Sequence, residues 1–491
     1  MKTSNNRNKS APNTMLKLSP EQEYALARFE QGHNLLLTGP GGVGKTQLIH
    51  RLVASTEKPI QVCAMTGCAS VLFGCNAKTI HSWSGIKLAK GPVDDIIGKV
   101  MKNKNAKKNW KKIKILIVDE TSMMSRKIFN LLEMTARLVR GNNAPFGGIQ
   151  VIFSADFYQL PPVPTPGEPD TGEFCFESDR WNVVFSPENH IELKTIFRQT
   201  DPVYINILAQ VRQGSLTPES ADILRQYVKR EEPEAVVTKL FPLRQRADFV
   251  NKMMFDKIDE PIKTSNVKKN RDCTTYADTG KPIDTRTLEL CSELTPTDIT
   301  YELDQLVSNT PCIETLELKR GAAVMCTANI DMENGICNGS QGIVLDFAHS
   351  GAPIVKFSNG LIKTIDYHSW QSSDYPTISI SQYPLQLAWA LTIHKIQGAT
   401  LDKAQIDIGN GIFEYGQTYV ALSRIRSLDG LYLANFNPAR IKAHPKVKAF
   451  YDSIQAVAPV LAPVLAPALA PALAPVLAPA LPDPTVKIIR F

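Results

Sequence analysis

The sequence predicts an α/β fold that carries a small antiparallel β-barrel or sandwich as an insertion. Three observations lead there. Short apolar runs such as Ile115–Val118 and Val151–Phe153 read as strands buried on both faces, and they alternate with helical patterns such as residues 126–140. A glycine-rich loop, Gly39-Pro-Gly-Gly-Val-Gly44-Lys45-Thr46, joins one such strand to a helix. Between about 320 and 384 the texture changes to short strands broken by Asn-Gly and Ser-Asn-Gly turns.

Composition sets the outer limits. A chain of 491 residues allows about three domains, and a hydrophobic share of 43 % is ample for buried cores. Lys and Arg number 55 against 48 Asp and Glu, a net charge of +7. That excess suits a polyanionic partner and suits ordinary solvated surface equally. Nine cysteines are scattered without short-spaced pairs, which disfavours a disulfide framework and a zinc site and favours a reducing compartment. Residues 1–14 form a polar leader with no apolar core, unlike a signal peptide.

The elements follow in order. Ser19 is placed as an N-cap and Pro20 as the first residue of a helix with apolar Ala25, Leu26 and Phe29. The run 34–38 is a buried strand leading into the loop. There Gly39, Gly41, Gly42 and Gly44 let backbone N–H groups close on phosphate oxygens, and the next helix offers its positive end. Lys45 would reach the β- and γ-phosphates and the Thr46 hydroxyl would ligate Mg²⁺. The strand 115–118 ends in Asp119-Glu120. Such carboxylates alone often cap a helix; paired with the loop, Asp119 holds Mg²⁺ through water and Glu120 deprotonates an attacking water. The pattern implies nucleotide hydrolysis. Residues 260–310 carry no assignable pattern.

Residues 456–481 are uncharged and rich in Ala, Val and Leu, with proline at every fourth position from Pro459 to Pro479. Each interior proline costs a helix about 3 kcal/mol and lipid offers no substitute partner, so a membrane span is excluded. An extended spacer is expected from 456, ending in a β-prone tip at 485–491. It is either an inert low-complexity tail or a tether presenting that tip to a partner protein's sheet edge.

The segment Ser154-Ala155-Asp156-Phe157-Tyr158-Gln159-Leu160-Pro161-Pro162-Val163 resembles the G-D-x-x-Q-L-P-P-V motif of the Pif-type (petite-integration-frequency) DNA helicases, RecD-like enzymes of the B branch of superfamily 1. Further segments fall in that family's order. They are Thr66-Gly67-Cys68-Ala69, Thr79-Ile80-His81-Ser82, Phe197-Arg198-Gln199, Leu318–Met325, Ala388–Gly398 and Tyr419–Arg424. The likeness spans about residues 16–452. Two positions depart from it: Ala155 replaces the usual Gly and Ile396 the usual Ser.

The resemblance implies two RecA-like P-loop NTPase domains, at 15–185 and at 186–319 with 385–455. A wedge insertion would lie within about 66–112 and the β-barrel at 320–384. It implies ATP with Mg²⁺, 5′→3′ movement on single-stranded DNA and unwinding at duplex junctions, in replication, repair, recombination or telomere maintenance. A monomer is expected, inside the cell: in the nucleus first, with a mitochondrion or a virus-infected host cell as other settings. A DNA-binding switch that does not unwind, and an RNA-directed motor, are the rival readings.

By the same resemblance Gln22 reads the adenine edge, Gln159 senses the γ-phosphate, and Arg198 and Arg424 are arginine fingers reaching from the second domain. Thr66, His81 and Ser82, with Thr392, His394 and Lys395, are the candidate contacts to the DNA backbone. Trp83 and Phe157 either stack on bases or pack in the core. The lysines between Lys99 and Lys114 are either a DNA track or a solvated face.

Overall fold

The structure, a computed structural model, describes residues 18–66, 78–87, 89–228, 230–231, 237–277, 280–331, 334–336, 338–372 and 375–465. The leader at 1–14, residues 67–77 of the expected wedge and the tip at 485–491 lie outside the described residues.

Six strands make the first sheet: β1 (Leu35–Thr38), β2 (Ile60–Ala64), β3 (Lys78–Thr79), β4 (Ile115–Asp119), β5 (Gln150–Ser154) and β6 (His190–Glu192). They run parallel in the order β3-β2-β4-β5-β1-β6. β1 and β4 are buried along their whole length, as unbroken Leu and Ile/Val runs require when helices cover both faces. The parallel order brings the C-terminal ends of β1, β5 and β4 side by side. These carry the glycine loop, the Asp156 segment and Asp119-Glu120.

The second sheet opens with β7 (Thr238–Phe241) and is interrupted by a β-rich insertion. The insertion's strands are β8 (Lys263–Asn266), β9 (Lys268–Asn270), β10 (Thr315–Leu318), β11 (Ala323–Cys326), β12 (Gln341–Phe347), β13 (Pro353–Phe357), β14 (Ile362–Thr364), β15 (His368–Gln371), β16 (Ser379–Gln382) and β17 (Leu385–Leu387). They form antiparallel sheets in the orders β14-β13-β12-β11-β17, β15-β16-β9 and β10-β8. The chain then completes the second sheet with β18 (Ala390–Thr392), β19 (Ala404–Ile408) and β20 (Leu431–Phe436), parallel in the order β18-β7-β19-β20.

Four expected boundaries move. β6 lies past residue 185 yet pairs with β1; three residues with only Ile191 buried leave no periodic signal. The insertion starts at β8 and ends at β17, wider than 320–384, because β8 and β9 are mostly exposed polar segments without alternation. The helix Pro445–Leu465 returns to the first lobe, where Val447, Tyr451 and Ile454 join the core of Phe153, Phe157 and Trp181. Its backbone also stays helical from 456 to 465, where an extended spacer was expected. Ala and Leu are strong helix formers, and a preformed helix propagates more easily than one nucleates.

Both open questions about aromatics resolve to core. Trp83 is 2 % exposed and Phe157 1 %; Trp83 packs on Trp110 at 4.6 Å and Phe157 on Phe176 at 5.0 Å. The lysine-rich stretch forms the helices Val93–Lys102 and Lys104–Lys112, which bury Ile96, Ile97, Val100, Ala106 and Trp110. Lys104, Lys108, Lys111 and Lys112 face outward. No helix among the described residues is long and apolar enough to cross a membrane.

Candidate active site

The glycine loop is shaped by positions that only glycine fills easily. Gly39 and Gly42 have φ of 132° and 88°, and a Cβ on Gly39 would stand 2.3 Å from the Leu193 carbonyl oxygen. Gly44 then caps the helix Lys45–Ala54. The Lys45 ammonium is drawn back into the loop, where Nζ donates to the carbonyls of Gly39 at 2.7 Å and Pro40 at 3.0 Å. Burial lowers its pKa, opposed by the charges of Asp156, Glu120 and Asp119.

Gln22 lies behind this loop. Its side-chain oxygen accepts from Ser19 N at 3.0 Å, completing a capping box, and Nε2 donates to Val43 O at 3.2 Å. The amide therefore ties the first helix to the loop.

Asp119 ends β4 and is 7 % exposed. Burial, then the neighbouring Glu120, pushes its carboxyl up to about 6. Glu120 takes the left-handed region at φ 55°, a conformation uncommon outside glycine and frequent at functional sites. Among the described residues no group of three His, Cys, Asp or Glu could hold a metal by itself. Thr46 and Asp119 instead offer hard oxygen donors, and a divalent cation relieves the burden on a buried, crowded carboxylate. That set fits Mg²⁺, which usually keeps water and substrate phosphate in its shell.

The second lobe closes over the loop. A Cβ placed on Gly41 would lie 3.7 Å from both Arg198 Nη1 and Arg424 Nη2, so the two guanidinium groups converge on one point. Arg424 is 2 % exposed and held by Val420 O at 2.9 Å and Ser423 Oγ at 2.9 Å. Arg198 donates to Ser423 O at 3.0 Å, and burial, then Arg424, pushes its pKa down to about 10. Arg198 lies on the connecting segment after β6, between the lobes: Phe197 N donates to Gly42 O at 2.8 Å, while Gln199 Nε2 donates to Ser423 O at 3.3 Å and Ile425 O at 3.0 Å in the second lobe. Two crowded, desolvated cations beside a phosphate loop suit a polyanion.

Gln159 is 5 % exposed and meets a residue that sequence reasoning left without a role. Gln397 Nε2 donates to Glu120 Oε2 at 3.0 Å and to Gln159 Oε1 at 3.4 Å, joining the candidate base and sensor to the second lobe. Tyr419 was likewise missed: its hydroxyl accepts from Gly41 N at 2.8 Å. Both residues belong to segments quoted for the family likeness, and that membership was the only signal available.

The candidate DNA contacts occupy the corresponding end of each lobe. Thr66 follows β2; His81 and Ser82 sit on the short helix Ile80–Ser84 after β3, with Ser82 exposed. Burial lowers the pKa of His81. In the second lobe, Thr392 ends β18 and its Oγ1 accepts from Lys395 N at 3.3 Å. His394 stacks near Phe413 with ring centroids 6.2 Å apart, and Lys395 Nζ donates to Gln386 Oε1 at 3.2 Å.

Comparison with known proteins adds the following. The family model of PIF1-like helicases matches residues 17–221, and that of the DNA helicase Pif1 2B domain matches residues 303–347, inside the insertion. The ATP-dependent DNA helicase PIF1 of Danio rerio is 33 % identical over 446 residues, covering 89 % of this chain; this chain spans 64 % of that relative. The crystal structure of Pif1 helicase from Candida albicans is similar at a TM-score of 0.73 and 33 % identity, over 90 % of this chain and 100 % of that one. A Bacteroides Pif1 helicase in complex with ADP-AlF3 and ssDNA is similar at a TM-score of 0.60 and 26 % identity, over 90 % of this chain and 98 % of that one.

Proposed function

The chain belongs to the family of PIF1-like helicases, and on that premise we propose that it hydrolyses ATP to travel 5′→3′ along single-stranded DNA and separate the duplex ahead. The observation that carries this reading is the shared pocket. Lys45, Glu120 and Gln159 come from the first lobe, while Arg424 and Gln397 come from the second and touch or face the same groups. A pocket with two walls couples occupancy to lobe movement, which is what a motor requires.

In this reading Thr46 and Asp119 hold Mg²⁺, which supplies charge neutralisation at the phosphates. Glu120 takes the proton of the attacking water, with Gln397 fixing its carboxylate. Gln159 holds the water or the γ-phosphate, and Arg198 and Arg424 stabilise charge spreading over the transferred group. Gln22 braces the loop and faces the base. Thr66, His81 and Ser82 in one lobe and Thr392, His394 and Lys395 in the other grip the strand alternately, by phosphate contacts that position without reading sequence. The protein would act as a monomer at duplex junctions during replication, repair, recombination or telomere maintenance, in the nucleus or wherever else such DNA is handled.

A strand-displacement assay on 5′- and 3′-tailed DNA and RNA duplexes tests this. The purified chain should unwind only the 5′-tailed DNA and only with ATP. Lys45→Ala and Arg424→Ala should each abolish unwinding, the arginine change costing roughly 10³ to 10⁵ in hydrolysis rate. Wild-type unwinding by either variant would overturn the reading. ATP-dependent retention without displacement would point to a binding switch, and displacement of RNA duplexes alone to an RNA motor.

A further inference from the structure

Asp156 lies three residues before Gln159 and is fully buried, so its charge needs a partner. That partner is Arg212, at the end of the helix Pro202–Gln213: Nε donates to Asp156 Oδ1 at 3.0 Å and Nη2 lies 3.0 Å from the same oxygen. The helix itself belongs to the second lobe, where Tyr204, Ile207, Leu208 and Val211 share a core with Leu240 and Ile406. Arg212 Nη1 also lies 3.8 Å from Glu192 Oε1 on β6. One guanidinium from the second lobe is thus fastened to the ends of two strands of the first.

The C-terminal helix supplies the third member. The Arg212 guanidinium lies 4.6 Å from the Tyr158 ring centre and 4.9 Å from that of Tyr451, and the two rings stack at 4.7 Å. The Tyr451 hydroxyl is 2.6 Å from Thr38 Oγ1, accepts from Phe157 N at 3.2 Å and lies 3.5 Å from Asp156 Oδ1. Thr38 is the residue before Gly39 of the phosphate loop. Gln159 Nε2 donates to the other oxygen of Asp156 at 3.5 Å. The cluster therefore touches the loop on one side and the candidate sensor on the other.

We infer that Arg212 is a positioning residue for hydrolysis: through Asp156 it aligns Gln159, and with Tyr451 it backs the phosphate loop at Thr38. Because Arg212 rides on the second lobe, the alignment of Gln159 follows the relative position of the lobes. Sensor geometry and lobe closure are then one event. Arg212 acts through Asp156. This inference rests on the ATPase reading above.

Steady-state ATP hydrolysis by the full chain with saturating single-stranded DNA tests it. Arg212→Gln should lower kcat by about tenfold to a hundredfold, the scale of a sub-ångström to 1 Å misplacement, while KM for ATP stays within about twofold, the mark of an interaction made only in the transition state. Arg212→Lys should recover part of the rate, since it keeps the charge and loses the fork. Tyr451→Phe keeps the stack and loses only the hydroxyl. It should lower kcat severalfold after correction for folded fraction, and the double variant Arg212→Gln/Tyr451→Phe should fall no further than Arg212→Gln alone.

A wild-type kcat in either single variant, or multiplicative losses in the double variant, would overturn the inference. So would losses in kcat that disappear once corrected for folded fraction. If Arg212→Gln does not fold, Tyr451→Phe decides alone. A wild-type chain that does not hydrolyse ATP, or a Lys45→Ala chain that does so at full rate, would instead bring down the ATPase reading and this inference with it.

Discussion

At the scale of single residues, the chemistry was legible wherever spacing carries it. Lys45 and Thr46 follow a glycine pattern and Asp119 ends an apolar run, so the roles proposed for them rest on signals present before any fold is known. Gln397 could not be read that way. An amide in a turn has no type-specific signal until folding sets it against Glu120, 277 positions away in the chain. Arg212 was hidden for the same reason, and Asp156, though inside a quoted family segment, had no visible partner, since an ion pair between distant segments leaves no mark in sequence.

Ile396 illustrates the converse. It departs from the family's usual Ser, and it is fully buried in the core of the second lobe with Leu391, Ile393 and Leu401. A hydrocarbon suits that position, so the departure adds packing beside the turn that holds Thr392, His394 and Lys395. Ile396→Ser should destabilise the chain by about 2–5 kcal/mol, the range for emptying a buried aliphatic site, read as a lower urea midpoint with the slope unchanged.

At the scale of elements, long buried strands and the loop helix were foreseeable because hydrophobic runs and caps mark them. β8 and β9 were not, being polar and exposed, and neither was β6, whose three residues form an edge. The docking of the C-terminal helix was equally invisible. Its aromatic face is meaningful only opposite the rings it meets, Phe450 on Phe176 at 4.3 Å and Tyr451 on Tyr158 at 4.7 Å.

That docking carries a pH dependence. His190 on β6 lies between Trp181 and Phe450, at 6.1 and 5.7 Å between ring centres, and burial pushes its pKa down to about 4. The folded value is depressed below the ordinary 6.5, so the unfolded chain takes up this proton first as pH falls. The stability due to neutral His190 is complete above about 6.5 and drains away as pH approaches 4. Melting temperature measured across that window should fall less steeply in His190→Gln than in the wild-type chain.

At the scale of the whole molecule, the α/β plan with its β insertion was legible from the alternation of textures and its two lobes only from the family likeness, while the division of the chain between lobes was not. Sequence order suggests that each lobe is finished before the next begins. Folding chose otherwise, because the face bearing Val447, Tyr451 and Ile454 finds its apolar complement on the first lobe. Deleting residues 445–491 should therefore lower the melting temperature of the first lobe specifically. Burying one large aromatic side chain is already worth about 3–5 kcal/mol against its truncation to Ala, and both Phe450 and Tyr451 would be lost. Calorimetry should resolve this as an early transition, and a single unshifted transition would contradict the assignment of this helix.

The returning helix also bears on synthesis. A ribosome that has completed β6 must add some 250 further residues before the segment bearing Tyr451 emerges, roughly 10–50 s at ordinary elongation rates of 5–20 residues per second. Throughout that interval the nascent first lobe has an uncovered apolar seam and a Thr38 without its hydroxyl partner. Translation thus leaves the first lobe without this support until nearly all of the chain has left the exit tunnel.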